Sequence, residues 1–369
     1  MKKLFDPNKD YSGILSSIVA IVIGLLVGFI VLLALKPSKA VEAFGLLITG
    51  GFYSGLKTFG NVLYYATPLI ICGLGTGVAF KASIFNIGGP GQMHMGAFVA
   101  IYTAVKWNLP GPLGWLVPLI MSMVAGALWA LIPALLYAYK KVNVIILTIM
   151  MNYIGLYLAN RLIVLNIFDS AKNQTRAVPM AHKLPTLGFD KIFRGSVVNC
   201  GFIIAIVLAI VFYIILEKTT FGYEIKACGK NRDAADYAGI NARKTIVVTM
   251  LISGALIGLA GATMYLSNAG KYLKVEDNTL PEGFQGLAVT LLAQNNPIGI
   301  IFSGIFLAYL ETSGSFVQGL GFSSEIVDVI SAVIIYCSAL SLLISEFMRK
   351  RRLNRLTGVD RKKVHGGDK

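Results

Sequence analysis

A polar, glycine-rich segment at residues 85–96 interrupts a long apolar region of the chain. It contains four glycines, one proline and the polar side chains Asn86, Gln92 and His94. Backbone amides cannot stay unpaired in lipid, so such a segment must face protein or a water-filled cavity. A helix broken there exposes donors and acceptors that suit a polar solute. Asn86, Gly91 and Gln92 are therefore candidates for lining a solute pathway, and close packing through small residues is the alternative.

A second interrupted segment lies at residues 280–299 and adds Gln285 and Asn296 as pathway candidates. Both segments have a start bearing glycine and glutamine, a short apolar helix, and a stop containing asparagine, proline and glycine. The distribution of basic residues gives the two segments opposite directions, as in an inverted repeat with a solute route between its halves.

Two charged residues, Arg161 and Glu311, lie near the ends of apolar segments. A charge in hydrocarbon needs a partner or a wet cavity. The two residues could pair with each other, or the Arg161 side chain could extend to the membrane interface.

The cysteines and histidines show no spacing typical of a metal site. We interpret the cysteines as small buried hydrophobic residues. Residues 51–58 resemble a phosphate-binding loop but lack its adjacent glycine and lysine. We therefore expect no metal, cofactor or catalytic residue in this chain. The cysteines and histidines without metal-site spacing are Cys72, Cys200, Cys228, Cys337, His94, His182 and His365.

The composition is that of a membrane protein. Of 369 residues, 56% are hydrophobic and 14% are charged, whereas soluble domains average roughly 25% charged residues. The mean hydropathy is +0.70. These values exclude a disordered chain, a coiled coil and almost any water-soluble enzyme. The net charge of +15 lies in short segments between apolar runs, which argues for contact with the lipid bilayer and against nucleic-acid binding.

The apolar runs predict an all-α polytopic protein with about ten transmembrane helices. They lie at 13–35, 61–80, 87–105, 113–139, 142–166, 197–217, 245–268, 283–294, 298–312 and 326–347. The predicted divisions are a cytoplasmic N-terminus (1–12), an extra N-terminal helix with an external amphipathic stretch (13–60), a transmembrane domain (61–347) and a basic cytoplasmic tail (348–369).

Basic residues also predict the orientation. With the N-terminus inside, most Lys and Arg residues fall on the cytoplasmic side. Both termini are then cytoplasmic, the loop at 168–196 is external and the loop at 218–244 is cytoplasmic. The basic run at 349–352 is expected to hold the last helix at the anionic inner leaflet.

The 218–244 loop predicts a docking surface for another protein. We expect a short amphipathic segment, a break at Gly229, and a helix capped by Asn231 and ended by Gly239. Small residues on this helix would form one smooth face for close approach, and charges would orient the partner; a plain solvated loop is the alternative. The predicted docking residues are Lys226, Gly229, Asn231, Arg232, Ala234, Ala235, Ala238, Gly239 and Ile240.

Residues 222–240, with the following 253–262, resemble the coupling loop of bacterial ABC importer permeases of the branched-chain amino acid, ribose and nucleoside group. Residues 85–97 are similar to the signature of the sugar and nucleoside branch, although Pro90 stands where that signature has an acidic residue. The N-terminal helix and the stretch at 41–60 resemble the longer of the two permeases in nucleoside importers.

This resemblance implies a type II importer fold in the bacterial plasma membrane. It implies a cytoplasmic ATPase that binds ATP and Mg²⁺, a solute-binding lipoprotein outside, and a second, shorter permease; a homodimer is the alternative. It also implies a nucleoside as the solute, with another sugar-type solute or a branched-chain amino acid as the alternative. An ion-coupled secondary transporter would need carboxylates within its spans, and these are nearly absent.

Overall fold

The computed structural model describes residues 12–323 and, beyond them, residues 326, 329, 330, 332, 333 and 336. The predicted N-terminus at 1–12 (apart from Ser12), the basic run at 349–352 and Cys337 lie outside the described residues, as does most of the predicted span at 326–347. The chain divides into a unit at 47–313 and a second unit made from the two ends of the chain.

Helices account for nearly all regular structure in the described residues, as the composition predicts. They are α1 (Ser12–Leu35), α2 (Pro37–Thr49), α3 (Leu56–Lys81), α4 (Gly89–Lys106), α5 (Leu113–Lys140), α6 (Val144–Asn166), α7 (Phe189–Ile192), α8 (Gly201–Lys218), α9 (Thr220–Lys230), α10 (Arg232–Tyr237), α11 (Ala242–Tyr265), α12 (Pro281–Leu292) and α13 (Pro297–Gln318). Two 3₁₀ turns lie at Gly50–Phe52 and Met180–His182.

Seven helices of the described part are long and apolar enough to cross a membrane: α1, α3, α5, α6, α8, α11 and α13. The runs predicted at 87–105 and 283–294 correspond to α4 and α12, which fall short in apolar character or in length. Both helices follow interruptions of the chain, so neither is a continuous apolar span. The protein is a multi-pass membrane protein, and a count of ten crossings is not confirmed.

The helix α3 lies at the centre of the unit at 47–313 and packs against α8, α11 and α12. Near its start, the Asn61 side chain accepts a hydrogen bond from Val197 N at 3.1 Å, next to the 168–196 loop. At its end, Lys81 Nζ lies 3.9 Å from Glu217 Oε1, next to the 218–244 loop. These contacts define a 168–196 side and a 218–244 side of the unit.

Glycines allow the closest helix contact, between α5 and α11. A side chain at Gly126 would overlap the carbonyl of Gly254, and one at Gly258 would overlap the carbonyl of Ser122. Without a hydrophobic driving force between helices in lipid, such backbone approach supplies the packing energy. The outward residues of α5 remain apolar and exposed, as expected for a surface that faces lipid.

The 168–196 loop contains the two strands found in the described residues, β1 (Phe168–Asp169) and β2 (Gln174–Thr175), paired antiparallel. The loop is fixed to the end of α4 by His182, which is buried. Its Nδ1 lies 2.5 Å from the Ala104 carbonyl oxygen and its Nε2 lies 3.1 Å from that of Leu109.

The unit of the two chain ends is held by contacts that follow α1. Lys36 Nζ donates to the Gly321 carbonyl at 2.5 Å and lies 5.6 Å from the centroid of the Phe322 ring. Lys39 donates to the Leu320 carbonyl at 3.4 Å. Lysine side chains thus satisfy carbonyls of the turn that follows α13.

Candidate functional site

The 218–244 loop folds as two short helices, α9 and α10, with the break at Asn231. Asn231 has an extended backbone (φ −159°, ψ 116°), and its side chain accepts a hydrogen bond from Ala234 N at 3.0 Å. It therefore caps α10, as predicted, because the first amides of a helix need an external acceptor. The prediction of a break at Gly229 is wrong, since this residue lies within α9.

Gly229 serves a different purpose, which is close approach. A Cβ atom here would overlap the Lys81 carbonyl and lie 3.1 Å from Ala82 Cα. Only glycine lets α9 lie this close to the linker between α3 and α4. Ser83 of that linker donates its hydroxyl proton to the Gly229 carbonyl at 2.7 Å. The loop is thus joined directly to residues 82–88.

Gly239 ends the second short helix in the way that the sequence predicts. Its φ of +83° is in the left-handed region that favours glycine. The amide of Gly239 donates to the Asp236 carbonyl at 3.0 Å, and that of Ile240 donates to the Ala235 carbonyl at 3.0 Å. No atom lies within 4 Å of a Cβ added at Gly239, so this position faces open space.

The alanines of α10 do not share one face, so this part of the prediction is wrong. Ala235 is 3% exposed and packs with Cys228, Ala242 and Ile240. This alanine lies beneath α10, because i and i+1 on a helix point in directions about 100° apart. Burial also raises the pKa of the Cys228 thiol above its usual range.

The exposed end of α10 is formed by Ala234, Tyr237, Ala238 and Gly239, which we name the α10 tip. Tyr237 is 93% exposed, and the sequence did not predict it as a docking residue. The sequence pattern that could have indicated it is an aromatic residue between small and charged neighbours, since tyrosine is enriched at protein interfaces. A shallow depression beside the tip is lined by Asp236, Gly239, Ile240, Asn241 and Arg243.

Two cations of the loop bind this chain itself. The Arg232 guanidinium donates to the Tyr137 hydroxyl, and its carbon lies 4.5 Å from the centroid of that ring. Lys226 Nζ lies 3.0 Å from Glu217 Oε2. Both were predicted to contact the partner. The structure shows that they hold the loop against the ends of α5 and α8.

In the first interrupted segment, the amides of Asn86 and Gln92 are bonded to protein. Each side chain is 1% exposed. They exchange two hydrogen bonds of 3.2 Å, Asn86 also donates to Ser253 Oγ at 2.9 Å, and its oxygen accepts from Gly88 N at 3.0 Å. In this conformation both side chains fix the linker before α4, which agrees with the packing alternative.

Gly91 lies in the same packed region. Its amide donates to Asn152 Oδ1 at 2.9 Å, and Asn152 Nδ2 donates to the Ile87 carbonyl at 3.0 Å. A Cβ at Gly91 would lie 2.8 Å from the Met151 carbonyl oxygen. The missing side chain thus lets α4 begin against α6, and Asn152 satisfies the backbone of the broken segment as lipid requires.

The two interrupted segments meet at the starts of their helices. Each of α4 and α12 has a proline in its first turn, Pro90 and Pro281. The backbones of Gly89 and Gly283 touch so closely that neither position has room for a side chain. The positive ends of two helix dipoles therefore lie close to each other.

From this contact the two helices run in opposite directions, as predicted. The end of α4 reaches the 168–196 side, where the Ala104 carbonyl contacts His182. Near the end of α12, Thr290 donates to the Gly73 carbonyl at 2.7 Å and packs against Gly77. Gly77 lies close to the 218–244 end of α3. This antiparallel arrangement is the one expected of an inverted repeat.

Gln285 is the pathway candidate in the first turns of α12, and its amide donates to the Glu311 carboxylate of α13. Both side chains are half-buried. Asn296 has a different position: it is exposed and caps α13, accepting from Ile298 N at 3.0 Å and Gly299 N at 3.3 Å. The two candidates therefore have different roles. Gln285 lies in a polar environment inside the unit, whereas Asn296 caps a helix.

Arg161 is exposed on α6, and the ion pairs between described residues do not join it to Glu311. The pair considered from the sequence is therefore not formed. Exposure near a helix end agrees with the alternative, in which the Arg161 side chain extends to the interface.

Comparison with known proteins identifies relatives of nearly the same length. The family described as branched-chain amino acid transport system / permease component matches residues 58–339. The nucleoside ABC transporter permease protein NupB of Lactococcus lactis subsp. cremoris is 33% identical over 362 residues, which cover 96% of this chain and 99% of NupB. No solved structure matches the chain with statistical significance.

Two further relatives cover most of both chains. The guanosine ABC transporter permease protein NupP of Bacillus subtilis is 33% identical over 93% of this chain and 97% of its own length. The glucose ABC transporter permease protein TsgB13 of Haloferax volcanii is 30% identical over 91% of this chain and 88% of its own length. With seven helices able to cross a membrane and a family match that spans them from α3 to α13, the chain is a multi-pass ABC transporter permease of the branched-chain amino acid transport system / permease component family.

Proposed function

We propose that this chain is the membrane-spanning subunit of an ATP-driven importer of nucleosides. The observation that carries the proposal is the similarity to NupB and NupP over nearly the whole of all three chains. Their names specify nucleosides and guanosine. A nucleoside is uncharged, so a pathway for it needs hydrogen-bonding groups and no fixed charge of one sign.

The α10 tip is the proposed docking site for a cytoplasmic ATPase. It exposes two alanines, a glycine and the Tyr237 ring, so a groove in a partner can approach the backbone closely. The helix beneath it is held by Ala235, Arg232 and the cap at Asn231, which gives the tip a defined orientation. A large aromatic side chain with little conformational entropy is a typical centre of a protein interface.

Movement of the tip would reach the interrupted segments through few contacts. The Gly229–Ser83 contact joins α9 to the linker at 82–88, and Asn86 joins that linker to α11. The linker leads into α4, whose first residue touches Gly283 of α12. Closure of the ATPases would then change the separation between α4 and α12. Such a change is needed for alternating access.

The proposed assembly contains more than this chain. ATP and Mg²⁺ are bound by the ATPase, and both termini of this chain are on the cytoplasmic side with it. One docking loop per permease means that two permeases are needed to engage two ATPase sites. We assign the second place to a shorter permease, and delivery of the solute to a lipoprotein on the 168–196 side.

Uptake of labelled solute by cells that express the complete transporter tests this proposal. We expect saturable uptake of guanosine and uridine that stops when cellular ATP is depleted and continues when the proton gradient is collapsed with ATP held constant. Competition by excess glucose or leucine should leave nucleoside uptake unchanged. Loss of uptake on collapse of the gradient, or displacement of nucleosides by glucose or leucine, would contradict the proposal.

A further inference from the structure

A group of polar side chains from three helices and a loop surrounds the start of α12. It consists of Tyr65 of α3, Lys271 of the segment before α12, Glu282 and Gln285 of α12, and Glu311 of α13, which we name the α12 polar site. All five side chains are half-buried, so the site is neither an exposed surface nor a sealed core. Polar and ionisable groups within a membrane domain are costly and typically mark a solute or ion pathway.

The contacts of the site bind its members to each other. Lys271 Nζ lies 3.7 Å from Glu282 Oε1 and 4.9 Å from the centroid of the Tyr65 ring. Both glutamates lie within electrostatic range of the Tyr65 hydroxyl. The Gln285 amide nitrogen donates to Glu311. Lys271 thus pairs with the Glu282 carboxylate, and the Gln285 amide donates to the Glu311 carboxylate.

Two acceptor atoms remain without a hydrogen-bond partner, Glu282 Oε2 and Gln285 Oε1, and both are buried. A buried acceptor without a donor destabilises the folded protein, so such atoms need an explanation. Both acceptors belong to the first two turns of α12, three residues apart, and therefore lie on the same side of the helix. Two acceptors without donors on one side of a helix suit a ligand that presents two neighbouring donors.

From this geometry we infer that Glu282 and Gln285 accept hydrogen bonds from adjacent hydroxyl groups of a transported sugar ring, beside the aromatic ring of Tyr65. The ligand class is a solute with vicinal hydroxyls, such as the ribosyl group of an uncharged nucleoside, because hydroxyl groups donate to the two free acceptors without adding a charge beside the Lys271–Glu282 pair. The inference rests on the proposed function, since it assigns the contact site of the same solute.

The position of the site agrees with this role. The segment that carries Lys271 is bonded to the 168–196 loop, where Thr175 N donates to the Leu273 carbonyl at 2.9 Å. The site therefore lies toward the side assigned to solute delivery. It also adjoins the contact between Gly89 and Gly283, so a solute held there would sense any separation of the interrupted helices.

The test compares the saturated uptake rates of uridine and of 2′,3′-dideoxyuridine in cells that express the complete transporter. Saturated rates are used because a binding protein that delivers the solute would set the apparent affinity, whereas contacts within the permease would act on the later step. We expect Glu282→Gln and Gln285→Leu each to slow uridine uptake about tenfold, as for loss of a hydrogen bond to a polar or charged group. The rate for the dideoxy analogue, which lacks both hydroxyls, should stay about the same.

Glu276→Gln is the matched control, because Glu276 forms a similar ion pair with Lys274, at 3.3 Å, on the more exposed part of the same segment. If Glu282→Gln and Gln285→Leu leave the ratio of the uridine rate to the dideoxyuridine rate unchanged, whether or not both rates fall, the inference is overturned. Wild-type uptake of uridine decides the proposed function separately. If Glu282→Gln fails to reach the membrane, Gln285→Leu, which leaves the Lys271–Glu282 pair intact, decides the result.

Discussion

The Ser83 hydroxyl donates a hydrogen bond of 2.7 Å to the carbonyl of Gly229, 146 positions later in the chain. This contact joins the α3–α4 linker to the helix that supports the α10 tip. Because Gly229 has no side chain, the backbone of α9 also packs directly against the backbone of Lys81 and Ala82 at the start of the linker. The proposed docking surface and the first interrupted segment are therefore separated by only a few directly bonded residues.

The first prediction concerns Gly229→Ala. An added methyl group would overlap the Lys81 carbonyl, so α9 must move away from the linker. We expect uptake to fall about tenfold or more, with a loss of about 1–3 kcal/mol in stability, as for overpacking. Uptake and melting of the purified complex measure the two effects. Gly45→Ala is the control, because no atom lies within 4 Å of the added Cβ there, and uptake equal to the control would show that the contact is unnecessary.

The second prediction separates Ala234 from Ala235. Ala234→Glu places a charge on the exposed tip and should abolish co-purification of the ATPase without changing the protein level. Ala235→Glu places the same charge in a site that is 3% exposed. Burying it costs several kcal/mol, so α10 should unfold locally and limited proteolysis should cleave the loop. Identical behaviour of the two variants would contradict the burial pattern of α10.

The third prediction concerns the buried amides of the first interrupted segment. Asn86→Leu leaves the Gln92 side chain and the Gly88 amide without their partner, which should destabilise the protein by about 1–3 kcal/mol for each buried group left unsatisfied. Asn296→Leu, at an exposed helix cap, should cost only about 1 kcal/mol. Thermal unfolding in detergent compares the two variants, and an equal or larger loss for Asn296→Leu would contradict the structure.

The fourth prediction uses thiol reactivity. Only the thiolate reacts, and burial raises the Cys228 pKa, so the thiolate fraction at pH 7 is lowered. Alkylation of Cys228 should be slow at pH 7 and accelerate as the pH rises. Tyr237→Cys places a thiol on the 93% exposed position and should react rapidly. Bound ATPase should protect this second thiol; rapid labelling that the ATPase does not slow would place its docking surface elsewhere.

The pattern of apolar runs and polar interruptions was enough to predict the all-α membrane fold. Long apolar helices follow from the need to satisfy backbone groups in lipid, which depends on composition and length alone. The cap at Asn231 and the helix end at Gly239 were predictable for a similar reason. Their roles rest on backbone geometry within a few residues, which local sequence specifies.

Tertiary structure decided which groups each polar side chain contacts. Asn86 and Gln92 could have faced a solute, yet Ser253, a residue far along the chain, completes their bonding. The pattern of α10 could not distinguish Ala235 from Ala234, because a six-residue helix is too short for periodicity to define its buried face. Local chemistry thus determined the elements and their caps, whereas partners distant in the sequence determined which polar groups remain free to bind a solute or another protein.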